Sequence, residues 1–297
     1  WLYLDRKVDT GGCGWDWGFR ADYVFGADGP DTQAFGSSPG AWDNPWDTSR
    51  DYGSALPQLY AQVGINDLTV KMGHFYTIIG YEVVQAPDNF FTSYAYTMNY
   101  GEPFTHTGVL AEYALHDDVT VWGGWVQGWD TAFDNPTEGN YFLGGFSVPL
   151  LDSVGLTYAV NVGNDRALDT DTYMHSIVVD TSLTEKLNYV LQSDYGTTTG
   201  ATPGQWYGVN NYLFYTINDC WKLGTRIEWF HDDDGIRGLP QGDIWNLTWG
   251  LNWYATSNFR IRPELRYDWY DGPGALPFDG GNATDQFSGG FDVIWTF

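Results

Sequence analysis

Lysine and arginine are scarce in this chain of 297 residues: 13 of them stand against 38 Asp and Glu, for a formal net charge of −25. So acidic a chain does not select DNA or RNA, whose phosphates are met by clustered Lys and Arg. Charge of either sign is thin, at 17% of residues, against roughly 25% in an ordinary soluble domain. Cysteine is limited to Cys13 and Cys220, too few for a disulfide framework and without the paired spacing of a zinc site. One bond between the two stays open if the compartment is oxidising. No apolar run approaches the roughly 20 residues of a membrane-crossing helix. No signal peptide precedes Trp1, so the sequence reads as a mature or trimmed product. Also absent are Gly-x-Ser-x-Gly, His-Glu-x-x-His, a phosphate loop and Cys-x-x-Cys. The sequence therefore offers no catalytic residues, no metal site and no cofactor. A lipase carried on a barrel would need a Ser–His pair facing lipid, and none aligns.

Aromatic residues are abundant, with 16 Trp, 21 Tyr and 17 Phe, and Gly numbers 37. Disordered segments are poor in aromatics, which argues for an ordered chain. Period two runs through the sequence. Phe259, Ile261, Pro263, Leu265, Tyr267 and Trp269 alternate with Arg260, Arg262, Glu264, Arg266 and Asp268, and in a strand the two sets lie on opposite faces. Such runs predict about fourteen strands, near 14–26, 57–65, 68–76, 104–116, 118–129, 140–150, 153–163, 172–183, 186–196, 205–217, 220–231, 244–255, 258–269 and 285–297. Short turns at Asn66-Asp67, His116-Asp117, Leu151-Asp152, Thr184-Glu185, Asn218-Asp219 and Thr256-Ser257 alternate with longer polar segments, above all 27–56 and 77–103. Short turns at one rim and long loops at the other are the layout of outer-membrane barrels. The expected fold is all-β: a closed antiparallel transmembrane β-barrel of about 14 strands, with short periplasmic turns and long extracellular loops. Residues 1–13 form an N-terminal periplasmic-side segment, residues 14–297 the single barrel domain, and the even count brings both ends to the short-turn rim.

The basic residues decide inside from outside. Arg20, Lys71, Lys186, Lys222, Arg226, Arg260, Arg262 and Arg266 all fall on the polar faces of their strands. An Arg or Lys facing lipid at the bilayer midplane costs about 2–4 kcal/mol, whereas lumen charges stay hydrated. The apolar faces carry aromatics, among them Trp15, Trp17, Phe19, Tyr23 and Phe25, as girdles at the lipid–water boundary do. A secreted β-sandwich with an aromatic sugar-binding face also alternates, but strict short and long loops and strands of 10–12 residues disfavour it.

The candidate pore-lining residues are Arg20, Asp22, Lys71, Glu112, Arg226, Glu228, Arg260, Arg262, Glu264, Arg266 and Asp268. Charged walls set ion preference in pores; alternatively Arg226, Glu228, Arg262, Glu264 and Asp268 form a cross-strand ion-pair network that stiffens the wall. The aromatic segment 77–103 is the candidate constriction loop, its Glu82, Asp88 and Glu102 opposing Arg20, Arg226 and Arg262 across the gap; 27–56 is the second choice. Acidic loops at the mouth (Asp28, Asp31, Asp43, Asp47 and Asp51, then Asp232, Asp233, Asp234 and Asp243) predict mild cation preference at low salt. The run His231-Asp232-Asp233-Asp234-Gly235 offers oxygen donors for calcium, or is simply a solvated loop.

Several stretches resemble one family: Trp17-Gly18-Phe19-Arg20-Ala21-Asp22, Val70-Lys71-Met72-Gly73-His74-Phe75 with Gly80-Tyr81-Glu82, Arg226-Ile227-Glu228-Trp229-Phe230 with Asp233-Asp234-Gly235, and Arg262-Pro263-Glu264-Leu265-Arg266-Tyr267-Asp268. They are similar to the putative beta-barrel porin-2 (OmpL-like) family. The terminal Phe297, closing an amphipathic strand, resembles the assembly signal of bacterial outer-membrane barrels. The resemblance implies a porin in the outer membrane of a diderm bacterium, passing small hydrophilic solutes or ions through a water-filled lumen. The partners implied are outer-membrane lipid or lipopolysaccharide, the barrel-assembly machinery through the C-terminal strand, and the solutes themselves, with a homo-oligomer left open. The alternative is a structural or adhesive barrel with a plugged lumen and partner-binding loops.

Overall fold

Alternating runs rich in aromatic and β-branched residues favour extended chain, and a computed structural model, which describes residues 1–34, 52–116 and 118–297, turns each run into a strand. The loop residues Asp43, Asp47, Arg50 and Asp51 and the turn residue Asp117 lie outside the described residues. In chain order the strands are β1 (Leu2–Arg6), β2 (Trp15–Gly26), β3 (Gly53–Ile65), β4 (Leu68–Tyr76), β5 (Thr105–His116), β6 (Val119–Val126), β7 (Gly139–Leu151) and β8 (Val154–Asp165). They continue with β9 (Thr170–Thr184), β10 (Leu187–Gly200), β11 (Gly204–Asn218), β12 (Trp221–Asp232), β13 (Gly242–Thr256), β14 (Phe259–Asp271) and β15 (Asp285–Trp295). All belong to one sheet whose order follows the chain.

The strand count is fifteen rather than about fourteen. The addition is β1, whose five residues are too few to show a period; they pair antiparallel with β2 from Leu2↔Tyr23 to Arg6↔Phe19. The expected closed ladder is not formed among the described residues: β1 and β15 stand at the two ends of the order. β1 occupies the edge of β2, so the strand that would have to meet β15 is a five-residue one with few ladder bonds to offer. The loops expected at 164–171 and 197–204 also shrink. Thr197 and Thr198 extend the ladder to Thr198↔Gly204, as β-branched side chains favour.

Chain contacts divide the protein into two compact units. The first comprises Trp1–Ile79, Pro103–Val148 and Ala159–Tyr173. In it the register between β2 and β3 slips between Asp22 and Val24, opposite Pro57, which has no N–H to give the ladder. Val24 keeps the sheltered face it shares with Asp22 by alternation, at 4% and 1% exposed, while Trp15 on the other face stays 72% exposed. The second unit comprises Gly80–Glu102, Pro149–Tyr158 and Met174–Phe297. On its β14, Leu265 is 50% exposed while Arg262 is 1%; on β13, Trp249 and Trp253 are exposed while Asn246, Thr248 and Asn252 are buried. This is the reverse of a soluble domain, where apolar groups are the buried ones. Both cysteines are free and exposed.

Between β6 and β7, Asp130 holds a left-handed backbone (φ +49°). Its Oδ1 accepts the amides of Phe104 at 2.6 Å and Thr105 at 2.8 Å. Asp130→Ala should destabilise the first unit by about 2 kcal/mol, since each unsatisfied buried donor costs about 1–3 kcal/mol and Ala tolerates positive φ poorly. Asp130→Asn, which keeps the acceptor, should lose less. The heat-unfolding midpoint of the detergent-solubilised protein measures both.

Candidate functional site

Residues 80–102 belong to no ladder, so their backbone N–H and C=O groups need other partners. Side chains on the polar faces of β10 to β14 supply them. Arg226, fully buried on β12, donates from Nη1 to Glu82 Oε1 at 2.6 Å and to the Ser93 carbonyl at 2.8 Å. Arg262 on β14 donates to the carbonyls of Ala86, Asn89 and Phe91 at 2.9, 2.7 and 3.1 Å, and is held from behind by Asp292 on β15 at 2.8 Å. Arg266 reaches the Tyr94 carbonyl at 2.6 Å, pairs with Asp268 at 2.7 Å and lies over the Tyr96 ring. Arg260 donates to the Pro87 carbonyl.

The carboxylates take the amides. Glu264 accepts Thr92 N–H at 2.8 Å and Ser93 N–H at 3.3 Å. Glu228 accepts the amides of Tyr96 at 2.8 Å and Thr97 at 2.6 Å, with Asn246 donating to its other side. Glu82 accepts Ala95 N–H at 2.8 Å besides its guanidinium. Charge-assisted bonds are about twice as strong as neutral ones, and a planar guanidinium offers five donors in fixed geometry. Small residues leave room for the segment: a Cβ on Gly224 would lie 2.3 Å from the Phe90 ring.

Of the expected lining residues, those on β12 and β14 are brought together, in a different arrangement. Glu82 touches Arg226 directly instead of opposing it across a gap, because the segment lies on the wall itself. Glu228 and Glu264 bind segment amides more than neighbouring arginines, because the unladdered amides need acceptors. Asp88 is exposed. Among the described residues Glu102 meets no arginine; Gln192 on β10 donates both to it and to Asp194, the latter at 3.1 Å. Burial first, and the negative charge of Asp194 next, push the Glu102 carboxyl well above the usual range. Gly80, at φ +84°, allows this approach, since a Cβ there would fall 2.1 Å from Glu102 Oε2.

In the first unit, Arg20 pairs with Asp22 at 2.7 Å and Gln58 joins them at 3.2 Å. Lys71 lies 5.5 Å from the ring centroids of Tyr60 and of Phe75, and Glu112 accepts the Trp122 indole N–H at 2.7 Å. Of the acidic run after β12, Asp232 accepts the amides of Asp234, Ile236 and Arg237, while His231 sits between Asp233 and Asp243. Among the described residues no group of three carboxylate, imidazole or thiol side chains converges as a metal site would. Phe297 is exposed. Sequence reasoning missed Gln192, Asn252 and Trp206 as partners of the segment; alternation puts them on polar faces, but no local signal names what they touch.

The model of a family described as putative beta-barrel porin-2, OmpL-like, matches residues 1–297. No curated protein matches the chain. Among solved structures, it is similar to the outer membrane channel DcaP of Acinetobacter baumannii, with 10% identity, 99% of this chain and 83% of that one covered, and a TM-score of 0.63. It is also similar to an anion-selective porin from Comamonas acidovorans (12%, 96% and 83%, TM-score 0.59). A third is the trimer form of OmpT, an outer membrane protein of Vibrio cholerae (12%, 94% and 85%, TM-score 0.58). At these identities the likeness is one of fold.

Two predictions follow from the contacts of the segment. Arg226→Met leaves Glu82 buried without its cation, a loss of about 3–5 kcal/mol for a broken buried pair. It should lower the heat-unfolding midpoint, and adding Glu82→Gln should restore much of it. Glu102, with its carboxyl raised by burial, favours its neutral form in the docked state. Docking is therefore firmest at low pH and weakens as pH climbs through the raised value, when a second negative charge appears beside Asp194. Limited proteolysis within 86–100, normalised to a peptide control, should increase on going to alkaline pH, and Glu102→Gln should flatten that increase.

Proposed function

Because the chain belongs to the putative beta-barrel porin-2, OmpL-like family, we propose that it passes small hydrophilic solutes or ions by passive diffusion, with segment 80–102 as the constriction. Its place is the outer membrane of a Gram-negative bacterium, and its class of activity is that of a porin. The observation that carries the reading is the reversed burial: exposed apolar faces suit lipid or lipopolysaccharide, and sheltered polar faces suit a hydrated interior. The finer reading is a closed barrel, completed in the membrane, with Phe297 offered to the assembly machinery and a homo-oligomer as one assembly state. Selectivity then rests little on the basic wall, because the donors of Arg226 and Arg262 are already committed to the segment.

The same contacts favour a second reading, a plugged barrel whose surface loops bind a partner. More than a dozen wall-to-segment hydrogen bonds are what a permanent plug needs. Planar-bilayer recording separates the two. A porin gives ohmic steps that grow when residues 86–100 are deleted; a plugged anchor gives none until the deletion. Unchanged steps after the deletion would remove the segment from the conduction path.

A further inference from the structure

Residues 81–91 and β11 enclose a cavity of about 190 Å3 in the second unit, lined by the rings of Tyr81, Phe90, Phe91, Tyr212 and Phe214. The rings make mutual contacts, with centroids 4.8 Å apart for Tyr81–Tyr212 and for Phe90–Phe214 and 5.0 Å for Phe90–Phe91. A cavity of about 150 Å3 already holds benzene, so this one has room for a single ring with a short substituent. Two carboxylates join the rings in the lining, Glu82 and Asp88. Glu82 is committed to Arg226, Ala95 N–H and the Tyr212 hydroxyl. Asp88 is exposed, and its side chain has no hydrogen-bond or ion-pair partner among the described residues.

Aromatic faces carry negative electrostatic potential and attract cations. The guanidinium of Arg226 lies 5.2 Å from the Phe91 ring centroid and is neutralised by Glu82, so it presents no free donor to an anion. Asp180 adds negative charge nearby, held by Asn188 at 2.6 Å. Its field, after burial, helps push the Tyr81 hydroxyl above its ordinary value. Of the two charged residues that line the cavity, Glu82 is paired and Asp88 is not; Arg260, outside the lining, gives a donor to the neighbouring Pro87 carbonyl.

We propose that this cavity binds small organic cations, an ammonium group on a body about the size of one ring, and so retards them in transit. The proposal rests on the porin reading for the transit and on the cavity alone for the binding. A neutral sugar would find rings to stack on but nothing to reward its lack of charge, and an anion would meet Asp88.

The test uses the purified full chain in planar bilayers, with benzylammonium, benzyl alcohol and benzoate as probes of one shape and three charges. Benzylammonium should interrupt the current at concentrations about tenfold below those needed for the other two. Phe90→Leu, which keeps the apolar volume, and Asp88→Asn should each raise its half-blocking concentration about fivefold. Equal block by all three probes, or block by maltotriose and none by benzylammonium, would overturn the assignment. Calorimetric titration of the detergent-solubilised protein covers the case of no current. Benzylammonium binding that Phe90→Leu weakens would then uphold the cavity and sink the conduction reading, while no binding heat and no block would sink the cavity.

Discussion

A stretch of chain with no ladder, packed against a sheet, must still have its peptide groups paired, and this constraint organises the second unit. The carbonyls from Ala86 to Tyr94 take donors from Arg226, Arg260, Arg262 and Arg266, and the amides from Thr92 to Thr97 take acceptors from Glu264, Glu82 and Glu228. Charged side chains thus do for residues 80–102 what a neighbouring strand does elsewhere. A buried guanidinium or carboxylate is costly unless every donor and acceptor is used, and here the segment is what uses them. Wall and segment each remove the other's penalty.

This coupling changes the electrostatic character of the wall. Read as strands, β12 and β14 present a basic surface suited to attract anions. Read with the segment in place, the same surface is nearly spent. On the porin reading proposed above, a solute meets the aromatic rings and the exposed carboxylate of Asp88, and the chain's large excess of negative charge reinforces it. Electrostatic preference in such a path follows the uncommitted groups, because a paired charge presents a dipole whose field falls off faster than that of a free charge.

The pairing also bears on motion. Segments that rearrange are held by interactions that conditions can weaken. Around Glu102 and Asp194 the segment is held through one bridging amide and a carboxyl that burial pushes well above the usual range, whereas around Arg226 it is held by a salt bridge. The two attachments therefore respond to pH with different strength.

Much of this was written in the local sequence. Strict alternation located fourteen of the fifteen strands to within a few residues, and Arg and Lys mark the polar faces of β2, β4, β12 and β14, because a period of two leaves a side chain only two directions. Length and aromatic content single out 77–103 among the loops. The rest needed tertiary structure. β1 has too few residues to display a period and exists only because β2 offers an edge. Arg226 and Glu82 lie 144 positions apart, and nothing near either residue specifies that they meet. Whether a charge faces water or serves a buried peptide group depends on what packs over it. Periodicity within a strand fixes direction, and only the folded chain decides the partner.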